Sequence, residues 1–263
     1  MNVNEIRQDF PLLKDSSDRN PLVYFDSACQ SLRPRSVIDA INDYYQHYPA
    51  CSGRSYHKLA AQVTQKCDEA RLRLARFLGA AKKEEVIFTR NTTEGINLVA
   101  NALDLKRGDA VLIGGKEHNS NLIPWQMLVK NRGIQLKILP TFEDGEFDLE
   151  SYEKMLDGSV KLVSLGYSSN LDGVTIPAEQ VIRLAHKNNA LVLLDAAQTA
   201  PHRKINVRAL DVDFLALSGH KMLGPSGIGV LYGKAKLLDD LDPFMVGGDT
   251  VANSTYEDCE FLP

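Results

Sequence analysis

Apolar positions in the first eighty residues recur at helical spacing. Val37, Ile38, Ile41, Tyr44, Tyr45 and Tyr48 form one stripe, and Leu59, Val63, Cys67, Ala70, Leu74 and Phe77 a second, with Gly79 as its stop. From residue 85 the pattern changes. Short apolar runs bounded by turn residues predict strands over 85–89, 110–113, 135–139, 161–166, 190–194, 213–217 and 229–232. Helical periodicity between them predicts helices over 93–103, 122–131, 149–156 and 178–187. Such alternation argues an α/β fold, a mostly parallel sheet covered by helices on both faces. The last strand follows its neighbour through a Gly-rich turn with no helix between, so it is expected to run antiparallel. Residues 1–20 read as a polar arm anchored by Phe10, Leu12 and Leu13, and residues 21–263 as one large domain.

Composition narrows the class. A chain of 263 residues can bury most of its apolar surface without staples. Net charge is −4 and no basic stripe stands out, which argues against nucleic acid as a partner. The first twenty residues lack the apolar segment of a signal peptide, and no apolar run approaches the ~18 residues of a membrane span. Cys29, Cys51, Cys67 and Cys259 are scattered, with no C-x-x-C pair. That usage fits the reducing cytoplasm and predicts no metal site.

In open α/β sheets ligands bind beyond the carboxyl ends of the strands. Five polar clusters fall there. After the strand over 85–89, Asn91 and Glu94 have capping-box spacing, so a helix opens with Thr92 and Thr93 in its first turn. That is either a phosphate cradle or a plain helix cap. His118, after 110–113, suits stacking on an aromatic ring or proton transfer, or is an ordinary loop histidine. Asn170, after 161–166, suits a hydrogen bond to a ring hydroxyl or a substrate carboxylate, or a turn. Asp195 follows a buried strand, where a carboxylate is costly unless paired; Gln198 lies one turn on. A helix cap or a metal ligand are the other readings of Asp195. Lys221 closes Ser218-Gly219-His220-Lys221 after the sixth strand and is otherwise a solvent-facing turn lysine.

A lysine and a carboxylate at neighbouring strand ends suit pyridoxal phosphate. That cofactor needs an amine to hold its aldehyde as a Schiff base and an anion beside its ring nitrogen. The run from Gly224 to Gly229 lacks the strand–loop–helix context and the Gly-Lys-Ser/Thr ending of a nucleotide loop, and reads as a turn.

Tyr24-Phe25-Asp26-Ser27-Ala28, Thr92 through Asn97, Glu117-His118, Asn121 to Trp125, Ser169-Asn170, Asp195 to Gln198, and Ser218 to Lys221 continuing to Gly227-Ile228-Gly229 occur in this order. Together they resemble class V aminotransferase-fold enzymes, in particular the cysteine desulfurase and selenocysteine lyase group. The resemblance implies a fold-type I pyridoxal-phosphate transferase large domain with a seven-stranded, mostly parallel sheet. It implies that Lys221 carries the Schiff base and moves protons, and that His118 stacks on the ring. Asp195 pairs with the ring nitrogen and Gln198 with the phenolic oxygen. Thr92 or Thr93, with Ser218 and His220, holds the phosphate, and Asn170 meets the substrate carboxylate.

The implied reaction converts cysteine, or selenocysteine, to alanine and leaves the sulfur as an enzyme persulfide. A sulfur-acceptor protein, a role in iron–sulfur cluster assembly and a homodimer are further expectations. So is a C-terminal small domain that these 263 residues lack, leaving a piece that binds cofactor without full turnover. No cysteine stands at the family's nucleophile position. Cys67 reads as core, whereas Cys29 and Cys51 lie near the expected cofactor mouth as substitutes. The stretch from Ala50 through Arg54 to His57 departs from the commonest desulfurase pattern, and His57 reads as a surface histidine or, in the family's dimer, as one that approaches a cofactor. A class V transaminase, epimerase or lyase, a non-catalytic module and, more distantly, a dinucleotide-binding domain are the rival readings.

Overall fold

The computed structural model describes residues 2–14, 22–53, 55–142, 145–248 and 250–262. The rest of the arm and Arg54 lie outside the described residues. The arm carries two short helices, α1 (Val3–Gln8) and α2 (Pro11–Lys14). Phe10 and Leu13 are half-buried, and the Arg35 amide ties the arm to the body through the Asp9 carbonyl at 2.7 Å, but Leu12 is exposed and so is no anchor.

Two longer helices follow, α3 (Arg35–His47) and α4 (Lys58–Leu78). Both form where the periodicity places them. Gly79, at φ 71°, ends α4 in the left-handed conformation that glycine adopts without strain. Their buried faces differ from expectation. α3 buries no residue fully, and α4 buries Ala60, Val63, Ala75 and Leu78. Cys67 is exposed, which corrects its reading as core. Between Val63 and Ala75 the helix buries no residue fully, although Leu74 packs against the core and Arg71 lies over the Phe88 ring.

The sheet contains β1 (Val86–Thr89), β2 (Ala110–Gly114), β3 (Gln135–Leu139), β4 (Val160–Gly166), β5 (Leu191–Asp195), β6 (Phe214–Ser218) and β7 (Gly229–Gly233). Its order is β1-β7-β6-β5-β4-β2-β3. Only β7 runs against the others, as the missing crossover helix requires. Helices α5 (Thr92–Ala102), α6 (Ile123–Arg132), α7 (Leu149–Met155), α8 (Ala178–Lys187), α9 (Val207–Leu210) and α10 (Ala235–Asp239) connect or follow the strands. An antiparallel pair, β8 (Val251–Ser254) and β9 (Cys259–Phe261), ends the chain and was not anticipated.

Strand alternation divides the core between the two faces. Ala110, Leu112, Val192, Leu194, Leu215 and Leu217 pack with Val181, Ile182 and Ala185 of α8 and Ala75 and Leu78 of α4. Val111, Ile113, Leu193, Phe214, Ala216 and Leu231 pack with Ile96, Val99 and Ala100 of α5 and Trp125 and Leu128 of α6. Both faces are therefore covered, as the apolar runs demand. The end of the sheet away from the cluster-bearing loops is pinned by Asp213, which is nearly inaccessible. It accepts from the Val192 amide at 2.8 Å and from Lys234 Nζ at 2.8 Å, and meets His186 Nε2 at 2.8 Å.

Asp213→Ala strands those partners without filling the site, so it is expected to cost about 3 kcal/mol, near the lower bound for breaking a buried charged pair. Denaturant unfolding should show a lower midpoint with an unchanged slope.

Candidate active site

The carboxyl ends of β1, β2, β4, β5 and β6 open on one cavity of about 550 Å³. All nine residues singled out from the sequence line it: Thr92, Thr93, His118, Asn170, Asp195, Gln198, Ser218, His220 and Lys221. Two boundaries shift. Asp195 and Ser218 are the last residues of their strands, not the first beyond them.

Asp195 is 8% exposed. Its carboxylate accepts one hydrogen bond from the protein, from the Ala197 amide at 2.9 Å. Burial pushes its carboxyl up, while the Ala197 amide and the positive fields of Lys221 and His118 pull it down. An anion placed so deep, with spare acceptor capacity toward a cavity, is suited to a cationic N–H. Gln198 reaches across the mouth and donates from Nε2 to the Ala28 carbonyl at 2.7 Å.

The opposite wall is built around the start of α5. Asn91 caps this helix, its side chain accepting from the Glu94 amide at 2.9 Å. The second half of the expected capping box is displaced: Glu94 accepts from the amide of Arg90, not that of Asn91. The Thr92 amide donates to Ser218 Oγ at 2.8 Å, and the two hydroxyls meet at 2.7 Å. This bond crosses the sheet. It forms because Gly229 of β7 faces both Thr89 of β1 and Ser218 of β6. A Cβ on Gly229 would stand 2.6 Å from Asn91 Cα, so only glycine lets the helix sit so low. The result is a helix N-terminus with buried hydroxyls around it, the donor set an anionic phosphate needs.

Lys221 closes a short 3-10 turn, Gly219–Lys221, and is half-buried. Burial, then the charges of Lys221 and Arg33, hold the adjacent His220 imidazole below its ordinary value. This turn is gripped by a segment nearly two hundred residues away, a contact sequence reasoning missed. Ser31 donates its amide and its hydroxyl to the His220 carbonyl at 2.9 and 3.0 Å, and its Oγ accepts from the Leu223 amide at 2.8 Å. Arg33 donates to the Ser31 and His220 carbonyls. Leu223 holds φ at 67°, a conformation costly for a non-glycine residue.

Asn170 lies in the turn that closes the Ser168–Thr175 bridge and is exposed. His118 is exposed as well, with Nδ1 accepting from the Ser120 amide at 3.1 Å. Cys29 lines the cavity, whereas Cys51 does not. His57 is exposed and caps α4 through the Ala60 amide at 3.4 Å. The turn before β7 closes by a bond from the Gly219 amide to the Ile228 carbonyl, 2.8 Å, and is no nucleotide loop. Among the described residues no cluster of histidines, cysteines and carboxylates could hold a metal ion.

The sequence and the fold both recur in known proteins. The class-V aminotransferase family model matches residues 23–262. A cysteine desulfurase of Synechococcus elongatus is 43% identical over 264 residues, which take in 99% of this chain and 42% of the relative. A second, from Dickeya dadantii, is 44% identical over 94% of this chain and 60% of its own length. The structure of a cysteine desulfurase from Thermococcus onnurineus NA1 superposes with a TM-score of 0.93 at 38% identity, covering all of this chain and 64% of the other. The chain thus spans about half the length of the curated relatives it matches. By sequence over most of its length, and by fold, it belongs to the class-V aminotransferase family.

Proposed function

We propose that the cavity binds pyridoxal phosphate and that the chain is the cofactor-binding part of a cysteine desulfurase. The observation that carries this reading is the meeting of Lys221, Asp195 and the Thr92–Ser218 anion cradle in one cavity. The residues fit the group: an amine, a buried anion with spare acceptor capacity and a helix N-terminus correspond to its aldehyde, ring nitrogen and phosphate. When bound, the cofactor supplies an electron sink for charge developing at the substrate α-carbon.

Lys221 would hold the aldehyde and is the group placed to carry protons to and from that carbon. Asp195 would keep the ring nitrogen protonated. Thr92, Thr93, Ser218 and His220 would hold the phosphate, and His118 would lie against the ring. Gln198, bonded here to Ala28, would turn to the phenolic oxygen, and Asn170 would orient the substrate carboxylate. Cysteine as substrate, alanine and a persulfide as products, delivery to a sulfur-acceptor protein and a homodimer belong to the same reading. They are supported by relatives named cysteine desulfurase, which favour it over a transaminase, an epimerase or another lyase. A cytoplasmic setting is supported by four free cysteines. No described helix is long and apolar enough to cross a membrane.

With added pyridoxal phosphate, the wild-type chain should show a visible absorption band that borohydride reduces, and Lys221→Ala should not; a band of equal strength in both would reject Lys221 as the anchor. Asp195→Ala removes a charge-assisted partner, at about 1.5–3 kcal/mol, and should weaken cofactor binding about 10- to 100-fold in equilibrium titration. Ser31→Ala removes both hydroxyl bonds to the strained Leu223 turn and leaves the Ser31 amide and Arg33 to hold it. Cofactor dissociation should accelerate by about tenfold, as for about 1.4 kcal/mol of lost hydrogen bonding, and adding Leu223→Gly should recover most of that loss.

A further inference from the structure

Glu117 also lines the cavity, yet nothing in the proposed reaction uses it. β2 and β4 are paired as far as Ile113 and Ser164. Past that level their ends, Gly114 and Gly166, are joined through the Glu117 carboxylate. The Gly166 amide donates to its two oxygens at 2.9 and 3.0 Å, and the Gly114 amide donates to Oε1 at 3.3 Å. A Cβ on Gly114 would stand 2.8 Å from Oε1, so the carboxylate fills the space a side chain there would take. Asn121 Nδ2 donates to Oε2 at 2.7 Å.

Asn121 is itself fully buried, donating to the Ser164 carbonyl at 3.1 Å and accepting from Trp125 Nε1 at 3.1 Å. The loop from Glu117 to Asn121 is therefore pinned at both ends, with His118 inside it. Ser120 in the same loop meets Thr93 Oγ1 at 2.7 Å. On the other side, Gly166 is level with Asp195 in the β4–β5 register, and the Tyr167 amide donates to the Asp195 carbonyl at 2.8 Å.

We propose that Glu117 is a positioning residue for the cofactor site: its carboxylate locks the ends of β2 and β4 and the His118 loop together, and so fixes His118 relative to Asp195. The inference rests on the pyridoxal-phosphate reading above. Among the described residues, every hydrogen-bond partner of the carboxylate is a donor. Protonation would set an O–H among these three donors and replace charge-assisted bonds by weaker neutral ones. The lock thus needs the ionised form, which burial resists. Burial pushes the Glu117 carboxyl from 4.5 up to about 7, against the pull of Asn121 and the Gly166 amide, and the charge of Asp195 on β5 pushes the same way. Lys221 and His118 act on Asp195, and Lys116 on the same wall is held by Asp172 at 3.0 Å.

The signs separate positioning from bulk stability. Because the folded value lies above the ordinary one, this group's contribution to global stability is full at low pH and is lost as pH rises through about 7. Its contribution to cofactor binding runs the other way, absent below that pH and present above it.

The test is the pyridoxal-phosphate dissociation constant of the wild type and of Glu117→Gln between pH 6 and 8, with thermal unfolding of the cofactor-free chains alongside. At pH 8 the variant should bind about tenfold more weakly, as for one mismatched buried contact. Toward pH 6, as the wild-type carboxyl takes up its proton, the two should approach each other. Equal affinities at pH 8, or a ratio that does not change with pH, overturn the inference alone. A wild type that takes up no cofactor at any pH overturns the cofactor reading as well. Should the variant fold poorly, amide exchange in the cofactor-free wild type decides the matter. Gly114 and Gly166, corrected for intrinsic rate, should be better protected at pH 8 than at pH 6, and equal protection rejects the lock.

Discussion

The carboxylate of Asp195 is the interaction on which the site depends. A buried charge is tolerated only where other charges and donors compensate it. Here one amide does so directly, and Lys221 and His118 do so through their fields. Those two residues lie 26 positions after and 77 before Asp195 in the chain. Sheet order brings them near: β5 lies between β6 and β4, with Asp195 level with Ala216 on one side and Gly166 on the other. Lys221 follows β6 by one short turn, and His118 follows β2 beyond β4. A cavity with a lysine on one flank and a histidine on the other is what this strand order leaves at the carboxyl end.

The antiparallel strand β7 solves a second packing problem. It starts at Gly229, where β1 and β6 both end, so the N-terminus of α5 can drop over a glycine onto Ser218. A parallel strand there would have ended beside them and filled the gap with its own loop. The same turn that reverses the chain into β7 carries Lys221, and the Ser31–Arg33 segment closes over it. Backbone strain at Leu223 is therefore held by groups from the far end of the chain, the arrangement expected where a turn must present one side chain in one place.

Periodicity of apolar residues and the chemistry of strand ends determined much from the sequence alone. The seven strands, the antiparallel last one and nine of the polar residues that line the cavity were readable there. Each depends on local rules: period-2 or 3.6 burial, a missing crossover helix, and ligands at carboxyl ends. What only the tertiary structure decided depends on partners distant in sequence. Cys67 sits on a good helical stripe, yet periodicity cannot say whether anything packs against a stripe, and the structure leaves Cys67 exposed. Ser31 is an ordinary loop serine until β6 brings His220 and Leu223 to it. Glu117 reads as a charged loop residue beside a histidine. Only the tertiary structure shows that, past the last β2–β4 pair, its carboxylate takes up the Gly114 and Gly166 amides.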